Sequence, residues 1–225
     1  METNLSAFDS CFLEEVLTPG GLSKVRGQLV LKEYKRAEKV FSVGDSPAGV
    51  YFISRGLVGL TIATAVGKDH LVRLFGQRQF FGHRSILAGE DYHATAIALE
   101  STNLIFLPRK DLDRVLPSFP SVIYKMSQTM ARELRYCEVK FAAQTDQDVT
   151  LRVIETVIYL QKMYPEHRWT RKEIAEYCGS TPPTVIKVLA KLESRNLISQ
   201  DGRKLNILDL PRLEQILENP ESKSL

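Results

Sequence analysis

The 225-residue sequence predicts an α+β chain in three parts. An N-terminal antiparallel β-roll with flanking helices spans 1–120, a long helix and hinge 121–145, and a winged helix-turn-helix 146–225. Three observations predict it. From about Gly27 to Pro108, short apolar runs are punctuated by glycine (VYFISRGLVGLTIA, HLVRLFGQRQFFG, HATAIALESTNLIFLP), the pattern of an antiparallel sandwich or barrel. From about Ser121 to Ala143, apolar residues recur at spacings of three and four: Ile123, Met126, Met130, Leu134, Cys137 and Phe141. From Thr170 to Ile198 the chain reads as two short helices around a glycine, followed by a hairpin.

In the roll, Gly44-Asp45 and Gly56 fall at turn positions, and Gly76 and Gly82 punctuate the next runs. After Pro108, DLDRVL makes a short helix that Pro117 and Pro120 end. The apolar stripe of the long helix either packs on the β-domain or pairs with its twin across a two-fold axis. The polar segment Gln144–Asp148 is the expected hinge.

Thr170 with Glu173 three residues on is a capping-box start. Ile174, Ala175 and Cys178 form the inward face of the first helix, and Gly179 sits where the turn needs a positive φ. Thr181 caps the next helix, Pro182 fits its first turn, and Val185, Val188, Leu189 and Leu192 form its buried stripe. In such a motif the second helix enters the DNA major groove while the first crosses the backbone. Ile198–Ile207 alternates around Asp201-Gly202, a two-residue hairpin signal and hence a wing. Arg203 and Lys204 at its tip are placed to meet phosphates. From Arg171 to Lys204, seven Lys or Arg face four acids, a surplus of three that equals the whole-chain excess of 30 over 27.

With 44% hydrophobic and 25% charged residues, the composition is that of a globular chain long enough for two cores. No apolar run approaches the roughly eighteen residues of a membrane span. The opening METNLSAFDS lacks the layout of a secretory signal. Cys11, Cys137 and Cys178 show no pair spacing and no metal signature, so a cytoplasmic location is expected and no metal site. No nucleophile–base pairing or phosphate-binding glycine loop appears, and the four histidines are dispersed, which disfavours an enzyme.

The order of parts, together with Asp148, Val149, Thr150 and Arg152 ahead of the winged helix-turn-helix, resembles the CRP/FNR family of bacterial ligand-sensing transcription regulators. The resemblance runs from about Phe12 to Leu208. It is carried by Thr170-Arg171, Glu173-Ile174, Gly179, Thr184-Val185, Leu192-Glu193 and Asn196-Leu197-Ile198, and in the roll by Gly44, Gly56 and Phe81-Gly82. It implies a homodimeric regulator that binds double-stranded DNA, with a small-molecule effector and RNA polymerase as further partners to test.

The resemblance places an effector pocket at Phe81, Gly82, His83, Arg84, Ser85, His93, Ala94 and Thr95, with Cys137 and Glu138 on the long helix. In the cyclic-nucleotide branch an acid binds the ribose and an arginine the phosphate; here His83 and His93 stand at those positions. Imidazole is a poor substitute for a bidentate guanidinium, which argues against cyclic AMP bound in the usual way. An iron–sulfur cluster of the FNR type needs clustered N-terminal cysteines, and only Cys11 lies there. Haem has His70, His83 and His93 as candidate ligands, but surface or hydrogen-bonding histidines are the preferred reading. The cofactor is therefore left unknown.

The family's base-reading Arg, Glu and Arg fall here at Pro182, Pro183 and Lys187. Proline cannot read a base edge, so readout is assigned to Ser180, Thr181, Thr184 and Lys187, with Ile186 for a thymine methyl. Lys191, Arg195 and Arg203 are assigned to phosphates, and Arg171 and Lys172 are counted with the DNA-binding residues. The stretch between Arg152 and Thr170 is shorter than in the cyclic-AMP receptor, which leaves activation through that surface open. Two further readings stand beside the effector-responsive one: a regulator that needs no effector, and a sensor that signals through protein contacts.

Overall fold

The computed structural model describes residues 28–218 apart from Val66 and Phe119. Cys11 and the opening segment lie outside the described residues. Two compact units result: residues up to Lys68 with Val72–Tyr136, and Cys137 onward with Asp69–Leu71.

The strands of the roll are β1 (Val30–Tyr34), β2 (Lys39–Phe41), β3 (Gly49–Arg55), β4 (Val58–Ala63), β5 (Asp69–Phe75), β6 (Phe80–Phe81), β7 (Thr95–Ala98) and β8 (Thr102–Pro108). They form two four-stranded sheets, ordered β1-β8-β3-β6 and β2-β7-β4-β5. A short helix α1 (His83–Ala88) follows β6, and α2 (Arg109–Val115), a 3₁₀ turn (Leu116–Ser118) and the long helix α3 (Pro120–Asp146) follow β8.

The central pair β3–β8 is antiparallel, with Tyr51 opposite Phe106 and Phe52 opposite Ile105. It is buried on both faces, which is why β3 reads Val50-Tyr51-Phe52-Ile53 rather than alternating with polar residues. Val50, Phe52, Ile105 and Leu107 pack on Ile86 of α1, Leu112 of α2 and Val122 and Met126 of α3. Tyr51, Ile53, Leu104 and Phe106 face the roll interior with Phe41, Phe75, Phe81 and Tyr92. Each such side chain contributes about 1.5–3 kcal/mol on burial.

Gly56 has φ 100°, and a Cβ there would lie 2.5 Å from Thr102 Oγ1 and 2.7 Å from the Ser101 carbonyl oxygen. Gly82 has φ 90°, and a Cβ there would lie 2.8 Å from the Gly49 carbonyl oxygen. Both turns therefore depend on the missing side chain as well as on the backbone angle.

The long helix departs from expectation in two ways. Its covered stripe begins at Val122 rather than Ile123: Val122 and Met126 are fully buried and Met130 is half-buried, whereas Ile123, Leu134 and Phe141 are 41%, 61% and 74% exposed. The helix also runs through Gln144 and Thr145 to Asp146, since neither residue breaks it. The joint shrinks to Gln147–Asp148, where the Asp148 carboxylate accepts from the Thr150 and Leu151 amides at 2.7 and 3.1 Å and starts the next helix.

The second unit continues with α4 (Val149–Met163), α5 (Arg171–Cys178), α6 (Pro182–Ser194), strands β9 (Ile198–Asp201) and β10 (Lys204–Ile207), and α7 (Leu210–Glu218). Leu151, Val153, Ile154, Val157 and Leu160 of α4, Ile174 of α5, Val185, Leu189 and Leu192 of α6 and Leu213 of α7 are all buried, as is Trp169.

Gly56→Ala is expected to destabilise the chain by at least the about 1–3 kcal/mol of a forced positive φ, with the clash at Thr102 adding to it. Urea unfolding at pH 7 measures this; a loss within error of zero would show that the β3–β4 turn relaxes freely.

Candidate nucleic-acid interface and effector pocket

The Thr170 hydroxyl accepts from the Glu173 amide at 3.1 Å and the Glu173 carboxylate accepts from the Thr170 amide at 2.8 Å, so the capping box is complete. Gly179 ends α5 with φ 67°, and the Ser180 amide donates back to the Ala175 carbonyl at 2.8 Å. Thr181 caps α6, accepting from the Thr184 amide at 3.5 Å and sharing a hydrogen bond with the Thr184 hydroxyl at 2.9 Å. Pro182 and Pro183 occupy the first turn of α6.

With Val185, Val188, Leu189 and Leu192 inward, α6 exposes Pro183, Ile186, Lys187, Ala190 and Lys191 as one face. Thr181 lies at the exposed entrance of this helix and Thr184 is half-buried, whereas Ser180 is only 8% exposed and reaches outward least. Ile186, 53% exposed, supplies an apolar surface beside Lys187.

The wing differs by one residue from its expected register. Asp201 pairs with Lys204, so the loop is Gly202-Arg203 rather than Asp201-Gly202. Gly202 has φ 58° and Arg203 has no positive φ, which matches the hairpin type that wants glycine first. Arg203 and Lys204 are exposed.

A charged chain of hydrogen bonds fixes this hairpin to both helices. Arg171 Nη2 donates to Gln200 Oε1 at 2.5 Å and to the Gly202 carbonyl at 3.2 Å. The amide and side chain of Gln200 donate to the Glu193 carboxylate at 2.8 and 2.7 Å. Arg171, counted with the DNA-binding residues from the sequence, holds the wing in this structure. Lys172 is exposed and 3.4 Å from Glu176. The roles of Gln200 and Glu193 went unseen in the sequence, because a hairpin–helix contact has no spacing signature. Arg152 of the Asp-Val-Thr-x-Arg segment donates to the carbonyls of Gln147 (2.7 Å) and Cys178 (3.2 Å), tying the joint to the end of α5.

In the roll, Phe81, His83, Ser85 and Ala94 are buried, Gly82 forms the turn and is half-buried, and Arg84 and His93 lie at the exposed rim. Thr95 is half-buried and accepts from the Val43 amide at 3.1 Å. Phe41 stacks on Tyr92 at 3.6 Å, and Phe81 stacks on Tyr51 at 5.2 Å and on Phe75 at 5.3 Å. The cavity left among Phe41, Phe75, Phe81, His83 and Tyr92 is about 20 Å³, room for one water molecule. Outside it, a depression of about 350 Å³ is lined by Arg84, Ser85, Leu87, Ala88, Glu90, His93 and Met130. Cys137 and Glu138 belong to the second unit, and both are exposed on α3.

Sequence reasoning missed a buried ion pair in this unit. Arg73 of β5 lies 2.6 Å from Glu133 of α3, with side chains 15% and 9% exposed. Arginine inside the apolar run HLVRLF was the available signal. Burial raises the Glu133 carboxyl while Arg73 and Arg84 oppose the rise. His83 is 1% exposed, and burial, then Arg84 and Arg73, push it from its ordinary 6.5 down to about 3. Neither nitrogen of His83, nor Arg73 Nη1, nor Glu133 Oε2 has a hydrogen-bond partner among the described residues. Burial also lowers His93, with Arg84 assisting.

A buried neutral His83 makes stability depend on acid. Its folded pKa lies below its unfolded value, so its contribution is complete above about 6.5 and is lost as pH falls toward 3. At pH 5 the loss from this one group is about 2 kcal/mol. Comparing urea unfolding of wild type and His83→Asn at pH 7 and pH 5 isolates it: the variant should lose less, and equal losses would show that His83 does not drive the acid response.

The chain matches the family model for the cyclic nucleotide-binding domain over residues 31–118 and that for the Crp-like helix-turn-helix domain over 152–216. It is 25% identical over 185 residues to the cyclic AMP receptor protein of Thermus thermophilus, covering 81% of this chain and 86% of that one. It is 24% identical over 197 residues to the global nitrogen regulator of Synechocystis, covering 83% and 88%. Among solved structures, the c-di-GMP-responsive global regulator CLP of Xanthomonas campestris superposes with a TM-score of 0.75 at 19% identity, over 84% of this chain and 99% of that one. Two family domains in this order, on a roll, a long helix and a winged helix-turn-helix, place the chain in the CRP/FNR family of transcription regulators.

Proposed function

We propose that this regulator is a cytoplasmic homodimer that binds a specific DNA sequence and responds to a small effector other than cyclic AMP held in the usual way, and that it is not an enzyme. The single observation carrying the DNA-binding assignment is the exposed outer face of α6, with Ile186, Lys187 and Lys191 presented on a helix capped at its start and locked to the wing at its end. Lys187 and Thr184 are the base-reading candidates, with Thr181 and Ser180 at the helix entrance; Lys172, Lys191 and Arg203 face phosphates. Arg171 contributes by holding the wing. The three-part division at about residues 120 and 145 belongs to this reading, with α3 as the dimerisation element.

The effector assignment is supported by the relatives, one a cyclic AMP receptor by name and one c-di-GMP-responsive by title, which suggest that this fold accepts different ligands. Here the aromatic stack leaves about 20 Å³ in the roll interior, far below the several hundred Å³ of a small-molecule site. That same observation favours the second reading, a regulator that needs no effector. Tight operator binding by the apoprotein, unchanged by cell extract, distinguishes it. No helix among the described residues is long and apolar enough to cross a membrane. For RNA polymerase, the α4–α5 connection presents Pro165, Glu166 and Arg168, while His167 and Trp169 within it are buried.

Selection from random DNA, followed by anisotropy titration of the enriched site, tests the assignment. Lys187→Ala should cost about 1–3 kcal/mol on the selected site and relax preference at one position. Lys191→Ala should weaken all sequences alike and flatten the salt dependence. A uniform loss at Lys187 would make it a phosphate anchor, and no enrichment at all would sink the assignment.

Dimerisation is expected through α3, because Leu134 and Val139 stand 61% and 62% exposed on it. Replacing both by glutamate should give monomers in sedimentation; a variant that stays dimeric moves the interface elsewhere.

A further inference from the structure

Around α1 two arginines act on one buried carboxylate. Arg73 and Arg84 both act electrostatically on His83 and on Glu133, and His83 is buried as a neutral ring with one N–H to donate and one nitrogen to accept. Among the described residues, Glu133 is the anion bonded to this group, through a single oxygen on Arg73 Nη2 at 2.6 Å. Arg73 Nη1 and both His83 nitrogens are left without partners among the described residues. Three buried polar groups with unused hydrogen-bonding capacity, drawn from a strand and two helices, are costly unless something polar completes them. The open depression of about 350 Å³ begins at Arg84 and reaches Met130, one helical turn before Glu133 on α3.

We propose that the Arg73–Glu133 pair, with Arg84 and His83 beside it, is a binding site for the carboxylate of a small monocarboxylic acid, and that the Glu133 side chain holds the place of that carboxylate until the acid arrives. The carboxylate class follows from the group already seated there, since Arg73 binds a carboxylate oxygen at hydrogen-bond distance. The single charge follows from the neighbouring depression, which Arg84 lines and Arg73 and Glu133 do not. Leu87, Ala88 and Met130 line it with apolar surface, and Glu90 repels a second anionic end. Its volume is that of a small-molecule site.

The site also supplies a route to the long helix. An incoming carboxylate takes over Arg73 and Arg84, and Glu133 loses its counter-charge while still buried. A buried carboxylate so released must find water or move, and it moves with the α3 backbone that carries it. This is the differential interaction that a ligand needs in order to shift a conformational equilibrium. The proposal rests on reading the chain as an effector-responsive regulator and names the ligand class and the residue it displaces.

Isothermal titration calorimetry of the full chain with hexanoate, succinate and inorganic phosphate tests it, on wild type, Glu133→Gln and Arg84→Gln. An internal group that occupies the site about nine times in ten lowers apparent affinity about tenfold. Hexanoate should therefore bind Glu133→Gln about tenfold more tightly than wild type, and Arg84→Gln about tenfold more weakly. Equal affinity in wild type and Glu133→Gln overturns the stand-in role. Succinate or phosphate binding better than hexanoate overturns the monocarboxylate class, and no heat with any anion on any protein overturns the site. Arg84 is exposed, so its variant keeps the test decisive if Glu133→Gln proves unstable. Operator binding is followed on the same preparations. Operator bound without hexanoate binding defeats only the site, whereas hexanoate bound without any DNA binding at low salt defeats the regulator reading.

Discussion

Burial of the β3–β8 pair on both faces is the constraint on which the first unit depends. One face of the pair seats α1, α2 and the first turns of α3, and the other closes the aromatic interior of the roll. Any change in the interior is therefore one strand thickness from the helices that would have to report it. Close-packed interiors do not deform continuously, so strain on one face shows up as a shift on the other. The glycine turns at Gly56 and Gly82 belong to the same constraint, because each lets backbone approach backbone where a methyl group would intrude.

Against this apolar frame, the Arg73–Glu133 pair stands out. Taking both charges out of water costs several kcal/mol per ion, and a single hydrogen-bonded contact does not by itself return that. A well-packed apolar pair would serve stability better. The pair links a strand of the roll to the helix proposed to join two copies, and so fixes the register of one on the other. His83 follows the same pattern, a polar ring against Phe80 at 4.5 Å that remains neutral well into acid.

The second unit is organised by caps and charge-assisted hydrogen bonds more than by volume. A capping box at Thr170, an αL glycine at Gly179 and a threonine cap at Thr181 set the angle of two short helices. Arg171, Gln200 and Glu193 then fix the hairpin to both of them. Such fixing matters for base reading, because an exposed lysine discriminates bases only if its backbone is held to a fraction of an ångström. At the other end, Lys140 lies 3.5 Å over the ring of Tyr177, which stacks on Tyr159, so the last turns of α3 are bound into the unit they lead to.

The sequence by itself determined the elements that local chemistry specifies. The helix-turn-helix was legible residue by residue, since capping boxes, positive-φ glycines and helical stripes act over three or four residues. The roll was legible as glycine-punctuated strands, and the long helix as a stripe. Tertiary structure decided what local pattern leaves open. It moved the wing loop to Gly202-Arg203, because register is set by pairing with the facing strand rather than by the strongest turn dipeptide. It added Val122 to the covered stripe of α3 beside Met126 and left Ile123, Leu134 and Phe141 exposed, because which side of a helix is buried depends on where the sheet lies. It bonded Arg171 to the wing, a contact that no local pattern marks. It brought Arg73 and Glu133 together across sixty positions of chain, a contact made by packing, for which no sequence spacing exists.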